Sequence, residues 1–149
     1  DIIWHKPNPM PESVKDRCTK AHEYIFLLSK KDKYYYDYES IKEEAVGETL
    51  FETRNKRSVW SVTTEPLKEA HFAVFPPDLI KPCVLAGCPE GGTVLDPFGG
   101  AGTTGLVADR HDRNAILIEL NKDYSEIARN RIYNDAPLFV DVIKTQFKN

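Results

Sequence analysis

Two carboxylates and a glycine-rich turn are the groups in this sequence best placed to do chemistry together. Thr93-Val-Leu-Asp-Pro-Phe-Gly-Gly-Ala-Gly-Thr-Thr-Gly105 sets Asp96 just ahead of a run that matches GxGxxG at Gly100, Gly102 and Gly105. Ala115-Ile-Leu-Ile-Glu-Leu-Asn121 follows and carries Glu119 near its end. Read as strand, glycine loop, helix and strand, this order places unpaired helix N–H groups beside an acid able to accept hydrogen bonds from ribose hydroxyls. Glycines at 99, 100 and 102 let the backbone approach a ligand closely, and Thr103 and Thr104 add hydroxyls at the helix start. The expectation is a nucleoside-cofactor pocket with an anionic group at the loop.

Two cofactors could use such a pocket. A dinucleotide would lay its pyrophosphate on the helix start, whereas S-adenosylmethionine would place its amino-acid portion there; both could use Glu119 for ribose. Asp96-Pro97-Phe98 separates them, because dinucleotide folds usually run straight from strand to first glycine. An acid ahead of the loop could instead hold the ammonium group of a methionine moiety. The structural alternative is a plain glycine turn with Asp96 as its local cap.

The elements that must position these groups can be read from pattern. The strand at 93–98 leads into a helix from about Thr103 to Asp109, then a strand at 115–120. A helix from about Asp123 to Tyr133 follows, with Tyr124, Ile127, Ala128 and Ile132 at helical spacing as its buried face. Upstream, Pro77 suits a first helical turn and Gly87 a helix stop, giving a helix over Leu79–Ala86. Asp1–Lys6 alternates like a strand and ends at Pro7, Pro9 and Pro11. The continuous apolar centre of His22–Ser29 predicts a second strand, buried on both faces and antiparallel to the first. Residues 32–57, with Tyr34, Tyr35, Tyr36 and Tyr38 among charges, show no sustained period and read as an exposed insertion. Ser58–Val62 is a short strand, and Leu138–Ile143 a possible third strand at the end. The class is α/β.

At 149 residues the chain has room for one domain, and its 41% hydrophobic and 29% charged content is ordinary for a soluble globular protein. No apolar run approaches the roughly 18 residues of a membrane span. Three cysteines, Cys18, Cys83 and Cys88, form neither a CxxC pair nor an even set, so buried thiols in a reducing, cytoplasmic setting are expected. The net charge of −3 conceals an asymmetry: residues 1–31 hold six Lys/Arg against four Asp/Glu, residues 58–149 nine against twelve. That permits DNA contact by the first part without requiring it. His5, His22, His71 and His111 have no metal-ligand spacing, and neither a Walker loop nor a GxSxG elbow occurs.

Asp-Pro-Phe-Gly-Gly-Ala-Gly-Thr-Thr, then Ile-Glu-Leu-Asn and Tyr124, resembles the S-adenosylmethionine motif of β-class DNA amino-methyltransferases, which modify N6 of adenine or N4 of cytosine. His71-Phe-Ala-Val-Phe-Pro-Pro-Asp-Leu79 is similar to the family segment that closes over the methionine end of the cofactor. Trp4, Lys6, Asn8 and Pro11, with His22-Glu23, resemble the family's strand pair on the target-base side. The resemblance spans residues 1–134. It implies a Rossmann-like methyltransferase fold, with S-adenosylmethionine bound by Phe75, Pro76, Asp96, Pro97, Phe98, Gly99, Gly100, Gly102, Thr103, Thr104 and Glu119. It also implies DNA as partner, with Trp4, Lys6 and Asn8 near the flipped base. Residues 1–149 would form one domain, with 31–64 a target-recognition insertion and 71–134 the cofactor-binding portion.

The sequence also departs from the family. The catalytic tetrapeptide, Asp/Ser/Asn-Pro-Pro followed by an aromatic, is absent; Phe75-Pro-Pro-Asp78 lacks both the preceding polar residue and the aromatic. In the family that tetrapeptide aims the amine lone pair at the methyl group and stacks on the flipped base. Cys83 after Pro82 is similar to the proline-cysteine nucleophile of cytosine-C5 methyltransferases, but its apolar helical surroundings favour a core thiol. Residues 1–29 would supply the two end strands of a seven-stranded sheet and 93–121 its central strands. The catalytic-side strands between them are missing, so the fold is expected to be incomplete and to leave an apolar edge for another chain or an N-terminal segment. The chain starts in mid-strand without an initiator methionine and reads as part of a longer enzyme, inactive by itself. A nicotinamide-dependent oxidoreductase and a non-catalytic DNA-binding fragment remain alternatives, as do adenine and cytosine as targets.

Overall fold

The computed structural model describes residues 1–47, 50–65, 74–137, 140–143 and 145. Ile2–His5 forms β1 and His22–Ile25 forms β2, paired antiparallel with Ile2 opposite Ile25 and His5 opposite His22. The pairing follows from the sequence: the proline-rich stretch after Lys6 cannot continue a ladder, so the chain must loop before it returns. β2 is shorter and more open than its apolar run suggests. It is an edge strand, and Tyr24, Phe26, Leu27 and Leu28 are exposed rather than buried on both faces. An apolar run signals affinity for cover, not the presence of cover.

The segment 39–61 contributes a 3-10 turn at Glu39–Ile41, the two-residue strands β3 (Glu43–Glu44) and β4 (Thr53–Arg54), and β5 (Val59–Ser61). β5 joins the other side of β1 in parallel, giving the order β2-β1-β5. The end of the expected 31–64 insertion is therefore a sheet strand. The short strand expected at Ser58–Val62 is present there. Trp4 and Trp60, directly opposite in register, bury their indoles against Leu79 in one core cluster.

α1 runs over Pro77–Gly87, with Pro77 at its first position, where its lack of an N–H costs nothing. Pro82 lies further in and removes the N–H that would have reached the Asp78 carbonyl. α1 packs on α2, Thr103–Asp109, and α2 packs on α3, Lys122–Asp135. Between them β6 (Thr93–Asp96) and β7 (Asn114–Leu117) pair in parallel, Thr93 against Asn114 and Asp96 against Leu117. Leu117 abuts Gly105 on α2, so this face of the pair is covered by a helix.

The opposite face is open. Leu95, Ile116 and Ile118 are 61%, 55% and 55% exposed, although parallel strands are normally covered on both sides. Three separate sheets occur among the described residues, β2-β1-β5, β3-β4 and β6-β7, and they do not merge into one. Of the expected terminal strand, residues 138–139 lie outside the described residues, and Val140–Ile143 are not in a strand. No helix among the described residues is long and apolar enough to cross a membrane.

Candidate cofactor site

The glycine loop is held by its backbone before any side chain is considered. Ile118 N donates to Asp96 O at 2.9 Å and Gly99 N to Ile118 O at 2.9 Å, so the start of the loop continues the β6–β7 ladder. Gly102 N then turns back to Gly99 O at 2.8 Å. Gly100 and Gly102 take φ of +49° and +78°, the left-handed region that side-chain-bearing residues avoid. At Gly102 a Cβ would also lie 2.8 Å from the Ala128 Cβ, because α3 presses directly on the loop.

Both predicted carboxylates brace this turn. Asp96 accepts the Phe98 N–H on Oδ1 at 2.9 Å and the Thr104 hydroxyl on Oδ2 at 2.6 Å. Glu119 accepts the Gly100 N–H on Oε2 at 2.8 Å and the Asn121 N–H on Oε1 at 2.7 Å. Each carboxylate oxygen has a second lone pair, so these bonds leave acceptor capacity for a ligand. Asn121 in turn caps α3, its Oδ1 accepting from Asp123 N at 2.8 Å and Tyr124 N at 3.4 Å.

A cavity of about 360 Å³ opens at the loop, lined by Val74, Phe75, Phe98, Gly99, Gly100, Ala101, Thr103, Glu119, Asn121 and Tyr124. Of the residues expected from sequence to touch cofactor, Phe75, Phe98, Gly99, Gly100, Thr103 and Glu119 form its wall. Asp96, Pro97, Gly102 and Thr104 are not among its lining: Asp96 ends β6, Pro97 and Gly102 lie in the loop, and Thr104 is in the first turn of α2. Pro76 is fully buried, at the N-terminal cap of α1. Asn121 and Tyr124 belong to the motif-like run of the sequence but are not among the residues expected from it to touch cofactor. Their signal was the helix start immediately after Glu119, where Asn is a favoured cap and its neighbours must face the loop. A larger hollow of about 580 Å³ lies on the α3 side of Glu119, between β7, α3 and the 140–143 segment.

Trp4 lies on β1, and Lys6 and Asn8 follow that strand; none of the three lines the cavity, although Phe75, which does, packs against the Trp4 cluster. Trp4 is 6% exposed and its Nε1 donates to Val62 O at 2.7 Å. Lys6 pairs with Glu23 and lies over the Trp4 ring. Asn8 pairs with the Thr64 backbone in both directions, accepting at 2.9 Å and donating at 3.2 Å. These side chains tie β1 to β2 and to the segment after β5, and Trp4 has no exposed ring face for a base. Cys83 is a core thiol, its pKa pushed up by burial to about 11. Among the described residues no group of His, Cys, Asp and Glu is arranged to hold a metal ion.

A parallel βαβ unit with a glycine loop over a cavity and an acid at the second strand end defines a nucleoside-binding α/β domain. The chain belongs to the DNA methylase family: the N6/N4-methyltransferase family model matches residues 1–130. It is 57% identical over 132 residues to the Type II methyltransferase M.SmaI of Serratia marcescens, covering 89% of this chain and 45% of that protein. It is 52% identical over 135 residues to M.Cfr9I of Citrobacter freundii, covering 91% and 44%. The chain thus spans under half the length of these curated relatives. Among solved structures it is similar to the M1.HpyAVI–SAM complex, with a TM-score of 0.64, 28% identity, and coverage of 88% of this chain and 60% of that one. The α/β methyltransferase fold is present here in part.

Proposed function

We propose that this chain is the cofactor-binding part of a site-specific DNA methyltransferase that carries the methyl group of S-adenosylmethionine to N6 of adenine or N4 of cytosine. The observation that carries this reading is the cavity in which the glycine loop, Phe75, Phe98, Glu119 and Tyr124 converge. Its size and mixed lining suit a nucleoside-sized ligand. Bound there, S-adenosylmethionine would supply an activated methyl group on its sulfonium. Glu119 would accept from the ribose hydroxyls. Ala101 and Thr103, which line the cavity, would border the carboxylate of the amino-acid end, and Asp96, through the lone pairs that its bonds to Phe98 and Thr104 leave, would accept from its ammonium group. Phe75 and Phe98 would exclude water from the sulfonium side. The portion 71–134 is on this reading the cofactor-binding unit.

DNA is the proposed partner. Tyr34, Tyr35, Tyr36 and Tyr38 are exposed in the 31–64 insertion, and aromatic faces of this kind can stack on bases. Arg54 and Arg57 are both paired with Glu43, so the tyrosines rather than these cations are the proposed contacts. The open face at Leu95, Ile116 and Ile118 suits a further polypeptide segment that also brings the Pro-Pro-aromatic motif. Without that motif nothing here aims an amine at the methyl group.

A chimera tests this reading. This chain would be joined to the part of M.SmaI that it does not match, and both chimera and chain assayed with tritiated S-adenosylmethionine and DNA. The expected result is transfer to DNA by the chimera and none by the chain. A folded chimera that binds the cofactor but leaves DNA unlabelled contradicts the reading, and robust transfer by the chain alone contradicts the division of labour.

A further inference from the structure

The chain's two tryptophans, Trp4 on β1 and Trp60 on β5, stand directly opposite each other in register and share one buried cluster with Leu79. Each indole is pinned at its polar end: Trp4 Nε1 donates to Val62 O at 2.7 Å, and Trp60 Nε1 to Arg57 O at 2.7 Å. With its N–H satisfied, each ring presents apolar surface to its neighbours. Neither tryptophan lines the cofactor cavity. Phe75 joins the two places, since it packs against the tryptophan cluster and also forms part of the cavity wall. Its main chain is restricted by the proline that follows, which disfavours helical backbone at Phe75. Pro76 is itself fully buried at the cap of α1, where its carbonyl accepts the Leu79 N–H at 3.1 Å. With the backbone fixed in this way, the direction of the Phe75 ring is decided by what it packs on.

We infer that Trp4 and Trp60 are positioning residues for the cofactor wall, holding the Phe75 ring in place before the ligand arrives. A side chain ordered in advance costs no ordering on binding. Trp4, expected from sequence near the target base, acts instead on the cavity through Phe75, and Trp60 brings the end of the 31–64 insertion to the same task. This role rests on the cofactor reading above and adds to it the residues that set one wall of the pocket.

Calorimetry and tryptophan fluorescence with S-adenosylmethionine test it. Trp60→Leu is expected to weaken binding by about three- to tenfold, the cost of ordering one released side chain, and Trp60→Phe, which keeps an aromatic face, by less. In a Phe75→Ala background Trp60→Leu should add no further loss, because the ring it positions is gone. Since both tryptophans lie outside the cavity, the ligand reaches them through Phe75: emission of the unaltered chain should change saturably, with the calorimetric Kd, and the change should disappear in Phe75→Ala while binding heat remains. Should Trp60→Leu fail to fold, the fluorescence of the unaltered chain and of Phe75→Ala decides the matter with both indoles intact. Additive losses in the double variant, an emission change that survives Phe75→Ala, or binding heat with no emission change in the unaltered chain each overturn the inference and leave the cofactor reading in place. Absence of binding heat from the unaltered chain overturns both.

Discussion

Glu119 and Gly100 are bonded directly, the carboxylate Oε2 accepting the loop N–H at 2.8 Å. Through this bond the acid that follows β7 braces the glycine loop, so on the proposed reading ribose binding and loop geometry would depend on one side chain. Glu119→Ala is expected to weaken S-adenosylmethionine binding by about 1.5–3 kcal/mol, the loss for hydrogen bonds to a charged acceptor. Calorimetry is the measurement. Unchanged affinity would remove Glu119 from ribose binding.

Gly102→Ala should destabilise the fold. The residue has φ of +78°, and its Cβ would stand 2.8 Å from the Ala128 Cβ. Strain and overpacking together are expected to cost about 2–4 kcal/mol in denaturant unfolding. Adding Ala128→Gly should recover the steric part and leave the dihedral part. A fully restored double variant would show that backbone strain is negligible at this position.

The bidentate pair between Arg110, the residue that caps the end of α2, and Asp135 at the end of α3, at 2.8 and 2.6 Å, predicts a pH effect. Hydrogen bonding to Arg110 lowers the Asp135 pKa below its ordinary value. A carboxylate depressed in the folded state contributes stability above its unfolded pKa, near 3.9, and loses it as pH falls through the lower folded value. The pair is partly solvated, so Asp135→Asn should cost only about 0.5–1 kcal/mol at neutral pH, and the difference from wild type should vanish in acid. A difference that grew on acidification would contradict this assignment.

Thiol labelling should sort the three cysteines by burial. Cys18 is exposed, Cys88 buried and Cys83 mostly buried with a raised pKa. Since the thiolate is the reactive form, one equivalent of a disulfide reagent should react rapidly at neutral pH, with the other two released only in denaturant. Rapid modification of Cys83 in the folded chain would contradict the core assignment.

Local pattern made most elements legible. Pro77 and Gly87 mark the ends of α1, and the glycines announce the turn between β6 and α2. What escaped depends on distant partners. The apolar run after His22 reads as buried, yet its exposure is decided by whether anything covers an edge strand. Trp4 reads as a residue near the target base because its neighbours resemble a family strand pair; its burial follows from Trp60, 56 positions away, arriving on the parallel β5. At the site, sequence spacing set Asp96 and Glu119 beside the loop. It could not show that both already hold loop N–H groups, nor that Arg131 reaches over from α3 to Thr103, because those bonds depend on how closely α3 approaches at Ala128.

The central claim is that the loop cavity takes S-adenosylmethionine, and parallel titration of this chain with S-adenosylmethionine and NADH tests it most directly. The expected result is saturable heat at one site for S-adenosylmethionine and no change in NADH fluorescence. Saturable NADH binding with no heat from S-adenosylmethionine would contradict the account and return the glycine loop to the dinucleotide alternative.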